Sequence, residues 1–332
     1  MLRPGPLNLI TDVAGLKVGH ATDERARSGV TALVCPGGWT AAADVRGGGP
    51  ATREIDVLGL ENLVGRVHAI SLSGGSVFGL AAADGMAAVL SSRDQGLRLT
   101  PGTPAIPIVS AACLYDLGHG GDKGWGLEPP YRQLGVSALQ AADTIFALGP
   151  VGAGRGAMAG AFPGGLGSAS LDLGDGVVVG ALAAVNPVGS VYADDGQTFL
   201  AAPFELNAEF GGRAASVIPP ASGEPFPDHA RLVSLGRMTT GAATTLCVVA
   251  ISADLTGPEC KRVAMMAHDG LARAIRPAHT PYDGDIVFCV AQGIGLQEGP
   301  ERPRLIARLG AAAADVLARA IARGVYVASL QV

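Results

Sequence analysis

The segment Gly241-Ala-Ala-Thr-Thr-Leu-Cys-Val-Val-Ala250 sets two hydroxyl residues at the head of an apolar run, directly after loose sequence rich in proline and glycine. Residues 245–250 read as a strand covered on both faces, because a nearly continuous apolar run leaves no face for water. A threonine heading a strand is ordinary in itself. A cut ahead of one of these two threonines changes its chemistry: the hydroxyl becomes a nucleophile, and the new α-amine, titrating near roughly 8, serves as its base without a histidine. The segment therefore predicts an amide hydrolase made as one chain and activated by a cut.

Outward from this strand, short apolar runs bounded by Gly, Pro or Asp predict further strands at 29–35, 67–72, 105–110, 144–148, 177–185 and 286–290. Asp175-Gly176 between two β-prone runs is a hairpin signal. Helical spacing marks 76–90 and 131–142. A third helix begins at the capping box Thr256/Glu259, with Pro258 in its first turn. It presents Val263, Met266, Ala267, Gly270, Leu271 and Ala274 as one stripe and ends at Arg276-Pro277. A fourth spans 303–323, with Leu305, Leu309, Ala312, Ala313, Val316, Leu317, Ala320 and Ile321 on one face and Gly324 after the last turn. One-faced helices beside strands covered on both faces imply helices packed on sheets. The stretch 201–243, with five prolines and little periodicity, reads as an exposed processing connector inside one folded unit. It joins a large segment, 1–243, to a small one, 244–332, in a single domain covering 1–332.

Composition narrows the function. The 332 residues are 48% hydrophobic, enough for a substantial core, and 49 glycines against 5% aromatics point to tight turns and close backbone packing. With 24 basic and 29 acidic residues and no block of like charge, a nucleic-acid partner is not indicated; a small neutral or mixed-charge substrate is. The longest apolar runs fall short of the roughly 20 residues of a membrane-spanning helix. The N-terminal residues lack the apolar core of a secretion signal, so a cytoplasmic location is expected. Cys35, Cys113, Cys247, Cys260 and Cys289 are odd in number and set in apolar runs, as buried reduced thiols are.

Other motifs read blandly. Gly152-Ala-Gly-Arg-Gly156 lacks the following helix that a nucleotide loop needs, and Ser73-Gly-Gly-Ser-Val-Phe-Gly79 lacks the last glycine of a nucleophile elbow. The six histidines show no metal-ligand spacing, so neither metal nor cofactor is expected, and His279 reads as a loop histidine. Asp283-Gly284-Asp285 carries two carboxylates at the mouth of an apolar strand, where like charges raise the pKa of one member. Alone, that motif reads better as an Asp-Gly turn entering a strand.

Together the blocks Ile10–His20, Asp44–Glu54, Leu72–Gly85 and His268–Asp285 resemble the P1 or S58 peptidase family, that of the L-aminopeptidase D-amidase/D-esterase, the β-peptidyl aminopeptidases and the nylon-oligomer hydrolases. The resemblance covers nearly the whole chain. It implies an α/β fold of the α+β kind, a four-layer αββα sandwich of the N-terminal-nucleophile type, made as a precursor and usually assembled as a homo-oligomer. Thr244 matches the nucleophile, Asp283 and Asp285 the supporting carboxylate pair, Tyr115 a site tyrosine and Asn186 an oxyanion donor. Two positions depart from the family pattern: Ala243 stands where asparagine or glycine precedes the cut, and Pro163 where a lysine is common. The implied function is a self-processing aminopeptidase or amidase acting on small peptides or amides. The alternative is an uncut, catalytically silent homologue that serves as a small-molecule binding or assembly module.

Overall fold

One long strand, Ser28–Val45, joins the two halves of the molecule. The computed structural model describes residues 2–174, 176–215, 223–234, 243–296 and 298–331. In chain order the strands are β1 Lys17–Asp23, β2 Ser28–Val45, β3 Ala51–Arg53, β4 Arg66–Ser73, β5 Val109–Cys113, β6 Met158–Ala159, β7 Phe162–Pro163, β8 Gly165–Asp172, β9 Val178–Asn186, β10 Thr244–Asp254 and β11 Ile286–Gly295. The α-helices are α1 Ala82–Ser92, α2 Tyr131–Gln140, α3 Gly257–Ala274 and α4 Arg302–Ser329. Strands pair in the order β3-β5-β4-β2-β11-β10-β9-β8, with β1 antiparallel to β2.

The first half of β2 pairs with β4 and its second half with β11. Between them the register shifts from Val34 to Trp39, where Pro36-Gly37-Gly38 interrupts the ladder and both glycines take positive φ. That break lets one hydrogen-bonded sheet fold into two packed ones. Leu33, Ile70 and Leu72 from one half meet Leu182, Leu246, Val248 and Phe288 from the other in a central apolar layer. The alternate residues point outward: Val30, Ala32, Ala69 and Ala111 cover α1 and α2, whereas Ala181, Val249 and Cys289 cover α3 and α4. The layers run helix, sheet, sheet, helix, which is the expected αββα sandwich. Leu246, Val248 and Ala250 facing one core while Cys247, Val249 and Ile251 face another explains why this strand is apolar throughout.

Several local expectations are corrected. Residues 144–148 form no strand: the run crosses between β1 and β8, bridging each at one end only (Val18 with Asp143, Gly149 with Leu166), and Ile145 is exposed. The strand expected at 105–110 lies at Val109–Cys113. The helix expected from Ser76 opens as 3-10 turns, Ser76–Ala81. Gly324 does not end α4, which continues to Ser329; a Cβ there would sit 2.7 Å from the Gly167 amide nitrogen, so glycine lets the helix rest on β8. Asp175 of the hairpin signal lies outside the described residues, although β8 and β9 pair antiparallel on either side of it.

Within 201–243, residues 216–222 and 235–242 lie outside the described residues. The described parts are less exposed than an open connector. Phe210 is buried against Phe199, and Glu209 accepts from the buried Arg319 of α4 at 3.0 Å. All five cysteines are buried and free. Among the described residues no helix is long and apolar enough to cross a membrane.

Candidate active site

β10 and β11 run parallel and adjacent, so the residues just ahead of each meet at one end of the pair. Ala243 bridges Asp283, and the peptide bond between Ala243 and Thr244 is gripped on both sides. Gly284 N–H donates to the Ala243 carbonyl at 2.9 Å, and the Thr244 hydroxyl donates to the same oxygen. Thr244 is 2% exposed. A Cβ on Gly284 would lie 2.7 Å from Thr244 Oγ1 and 2.8 Å from the Gly49 carbonyl, so only glycine brings this amide so close to the threonine. The turn is backed by Arg46-Gly47-Gly48-Gly49: Arg46 N–H donates to the Asp285 carbonyl at 3.0 Å, and Gly49 N–H to that of Asp283 at 2.8 Å.

The two carboxylates are buried and hold different neighbours. Asp283 Oδ2 accepts from the Thr280 hydroxyl at 2.6 Å and amide at 3.0 Å, and its Oδ1 from Val188 N–H at 3.1 Å. Burial first, and the adjacent Asp285 second, push its pKa up to about 6 despite those donors. Asp285 Oδ1 accepts from Thr245 N–H at 2.7 Å, while Oδ2 accepts from His279 N–H at 3.0 Å and its ring Nδ1 at 2.9 Å. His279 is thus a partner of the carboxylate pair rather than the surface histidine its loop position suggests.

Asn186 lies opposite Thr244 in the β9–β10 register. Its amide donates to the Tyr115 carbonyl at 3.0 Å, and its Oδ1 accepts from Met158 N–H at 2.9 Å. In the uncut chain it ties the Tyr115 loop to β6. Tyr115 is half-buried, its ring edge-on to His119 with centroids 6.3 Å apart. Pro163 pairs with Met158, one residue from the site that Asn186 anchors. Thr244, Asp283, Asp285 and Asn186 therefore meet at the head of β10, and Tyr115 joins them through its backbone carbonyl, held by Asn186.

Besides His279, sequence reading missed two contributors. One is the Gly284 amide, a backbone group that no residue-type pattern displays. The other is Arg231, whose guanidinium donates to the carbonyls of Pro187 at 2.7 Å and Asn186 at 3.0 Å and meets His119 Nε2 at 3.2 Å. It lies in the aperiodic stretch 201–243, one of three arginines there, where the sequence offers no pattern to single it out. Three of the four buried side-chain atoms without a partner among the described residues also belong here: Thr245 Oγ1, His268 Nδ1 and His279 Nε2.

A hydroxyl and an amide converging on one carbonyl oxygen can support an acyl shift from nitrogen to oxygen. The described residues form no cluster of His, Cys, Asp and Glu able to hold a metal.

Comparison with known proteins places the chain among hydrolases of peptide and amide bonds. A model of peptidase family S58 matches residues 8–331. An uncharacterized aminopeptidase of Mycobacterium tuberculosis is 44% identical, over 96% of this chain and 94% of that protein. A 6-aminohexanoate-oligomer endohydrolase of Paenarthrobacter ureafaciens is 30% identical, over 92% of this chain and 82% of that protein. Among solved structures, the L-aminopeptidase D-Ala-esterase/amidase of Ochrobactrum anthropi, a variant of the Ntn hydrolase fold, superposes with a TM-score of 0.69 at 20% identity, covering 97% of this chain and 86% of that one. A β-aminopeptidase of Burkholderia gives 0.68 at 23%, covering 98% and 88%. At those identities the structures speak for the fold.

Proposed function

Because the chain belongs to peptidase family S58 and is a hydrolase of peptide or amide bonds, we propose that it is a self-processing aminopeptidase or amidase whose nucleophile is Thr244. The observation that carries this reading is the doubly held Ala243 carbonyl.

In the first stage Thr244 Oγ attacks the Ala243 carbonyl carbon, and Gly284 N–H takes the negative oxygen. The hydroxyl proton passes to the departing Thr244 nitrogen, leaving an ester. Water then cleaves the ester into an Ala243 carboxylate and a free Thr244 with hydroxyl and amine. In the second stage that amine accepts the hydroxyl proton, Oγ attacks the carbonyl of an N-terminal peptide or small amide bond, and the amine protonates the leaving nitrogen. A second water releases the acyl group. Asp283 and Asp285 hold the Thr245 and Val188 backbone on either side of the nucleophile, while Asn186 and Tyr115 wall the pocket and stabilise the oxyanion. A single well-placed donor in that role is worth about 3 to 4 kcal/mol.

Ala243 and Pro163 set the pace. Alanine resists the unusual backbone angles of the shift more than glycine does, and proline brings no donor, so self-cleavage is slow. The segments 1–243 and 244–332 stay together as one unit through the shared sheet. A cytoplasmic homo-oligomer acting on small peptides or amides completes the reading.

A panel of amino-acid p-nitroanilides and short amide oligomers, assayed with the parent and Thr244→Ala, tests it. Turnover by the parent and none by the variant is expected; equal activity in both contradicts the assignment.

A further inference from the structure

Behind Asp285 stands an arrangement that the proposed reaction does not by itself require. His279 gives two donors, ring Nδ1 at 2.9 Å and backbone N–H at 3.0 Å, to the one oxygen Oδ2, leaving Oδ1 to accept Thr245 N–H at 2.7 Å. The carboxylate is 1% exposed, so water does not compete for it. His279 adopts φ +58°, a left-handed conformation uncommon for residues other than glycine, though histidine takes it more often than most. Backbone strain of this kind persists where the surroundings over-determine it. Here it turns side chain and amide toward the same oxygen. The ring of His268 meets that of His279 edge-on at 4.8 Å, and its own Nε2 lies 3.0 Å from the Asp44 carbonyl. Among the described residues, His268 is the one aromatic ring packed against His279.

We propose that His279 is a positioning residue: clamped by its Nδ1–H and N–H, Asp285 holds the Thr245 amide and so fixes the Thr244 backbone in register for attack. The inference rests on the assignment of Thr244 as nucleophile. Because a carboxylate only accepts, Nδ1 carries a proton and donates it to Oδ2. Its Nε2 is buried without a partner among the described residues. His279 touches neither the Ala243 carbonyl nor the hydroxyl; its effect passes through Asp285.

Two αL-tolerant substitutions separate this role from a merely structural one. His279→Gly keeps the backbone conformation and removes the ring donor; His279→Asn keeps the conformation and restores an N–H near the place of Nδ1. Precursor cleavage rate, kcat and KM on the best amide substrate, and melting temperature are measured for both, beside Thr244→Ala. Misplacing a reacting group costs up to about 100-fold. His279→Gly is therefore expected to lower the cleavage rate and kcat by about 10- to 100-fold with KM within about twofold, and His279→Asn to recover to within about threefold of the parent. Equal rates for His279→Gly and the parent, or an Asn variant as slow as the Gly variant, overturn the proposal. If Thr244→Ala remains active, the nucleophile assignment fails instead, and the two failures are distinct. Should His279→Gly not fold, 15N NMR of the histidine-labelled parent decides: an Nδ1–H tautomer at His279 supports the clamp, and an Nε2–H tautomer refutes it.

Discussion

The two ends of the β10–β11 pair are built from the same kind of apolar strand and end differently. At the Thr244 end, four polar side chains, Thr244, Thr245, Asp283 and Asp285, are all 2% exposed or less. At the other end Asp254 is exposed, the register slips between Ile251 and Ala253, and residues 292–295 face solvent. Burying a carboxylate without partners costs several kcal/mol or more. The protein accepts that cost at one end alone and offsets it with backbone donors from Val188, Thr245, His279 and Thr280. Polar groups placed where burial penalises them mark the functional end of the strand pair; the opposite end follows ordinary solvation.

The contrast can be broken most severely at Thr244. Thr244→Ala removes the hydroxyl with little change in volume, and loss of both chain scission and amide turnover by at least about 10³-fold is expected from the scale of nucleophile deletions. Gel analysis of freshly purified protein and a p-nitroanilide assay check it. Next comes Gly284→Ala, which sets a methyl 2.7 Å from Thr244 Oγ1 and 2.8 Å from a backbone carbonyl. Displacing the Gly284 amide from the Ala243 oxygen should slow scission by about 100-fold, the usual loss for one oxyanion donor. Pulse-chase measurement of precursor decay reads it directly; decay at the parental rate would remove Gly284 from the mechanism.

A smaller effect follows from Asp283. Its folded-state pKa is raised from 3.8 to about 6, so the native state binds its proton more tightly than the unfolded chain does. That contribution to stability is complete below about pH 4 and is lost as pH rises through about 6, a span worth about 2 to 3 kcal/mol. Asp283→Asn cannot titrate. Denaturation midpoints taken from pH 4 to 8 should fall less steeply in the variant than in the parent, and parallel slopes would contradict the raised pKa. The mildest change lies at the solvated end, where Thr256 caps α3 and Glu259 reaches back to the Thr256 amide at 2.8 Å. Thr256→Ala should cost about 1 kcal/mol of stability. Thermal melts measure that loss, and scission should be unchanged.

Sequence patterns reached the fold where periodicity and burial coincide. α3 and the body of α4 announce themselves because their apolar residues recur with the helical period, and β10 and β11 because they are short unbroken apolar runs. They failed where an apolar run has no sheet edge along its length, as at 144–148, and where a glycine serves close packing rather than helix termination, as Gly324 does. The site was legible to the extent that side-chain types carry it: two carboxylates two residues apart and a threonine heading a buried strand. That the two stretches are neighbours depends on the β10–β11 pairing, a long-range fact absent from local sequence. The Gly284 donor is backbone and therefore invisible to composition. Arg231 and His279 act from aperiodic segments, and only the fold shows which carbonyls and which carboxylate they address.

Intact-mass spectrometry of the purified protein tests the central claim most directly. Two species are expected, one beginning at Met1 and ending at Ala243 and one beginning at Thr244, whose masses sum to the uncut chain plus one water. An amidase-active sample containing only the unbroken chain would contradict it.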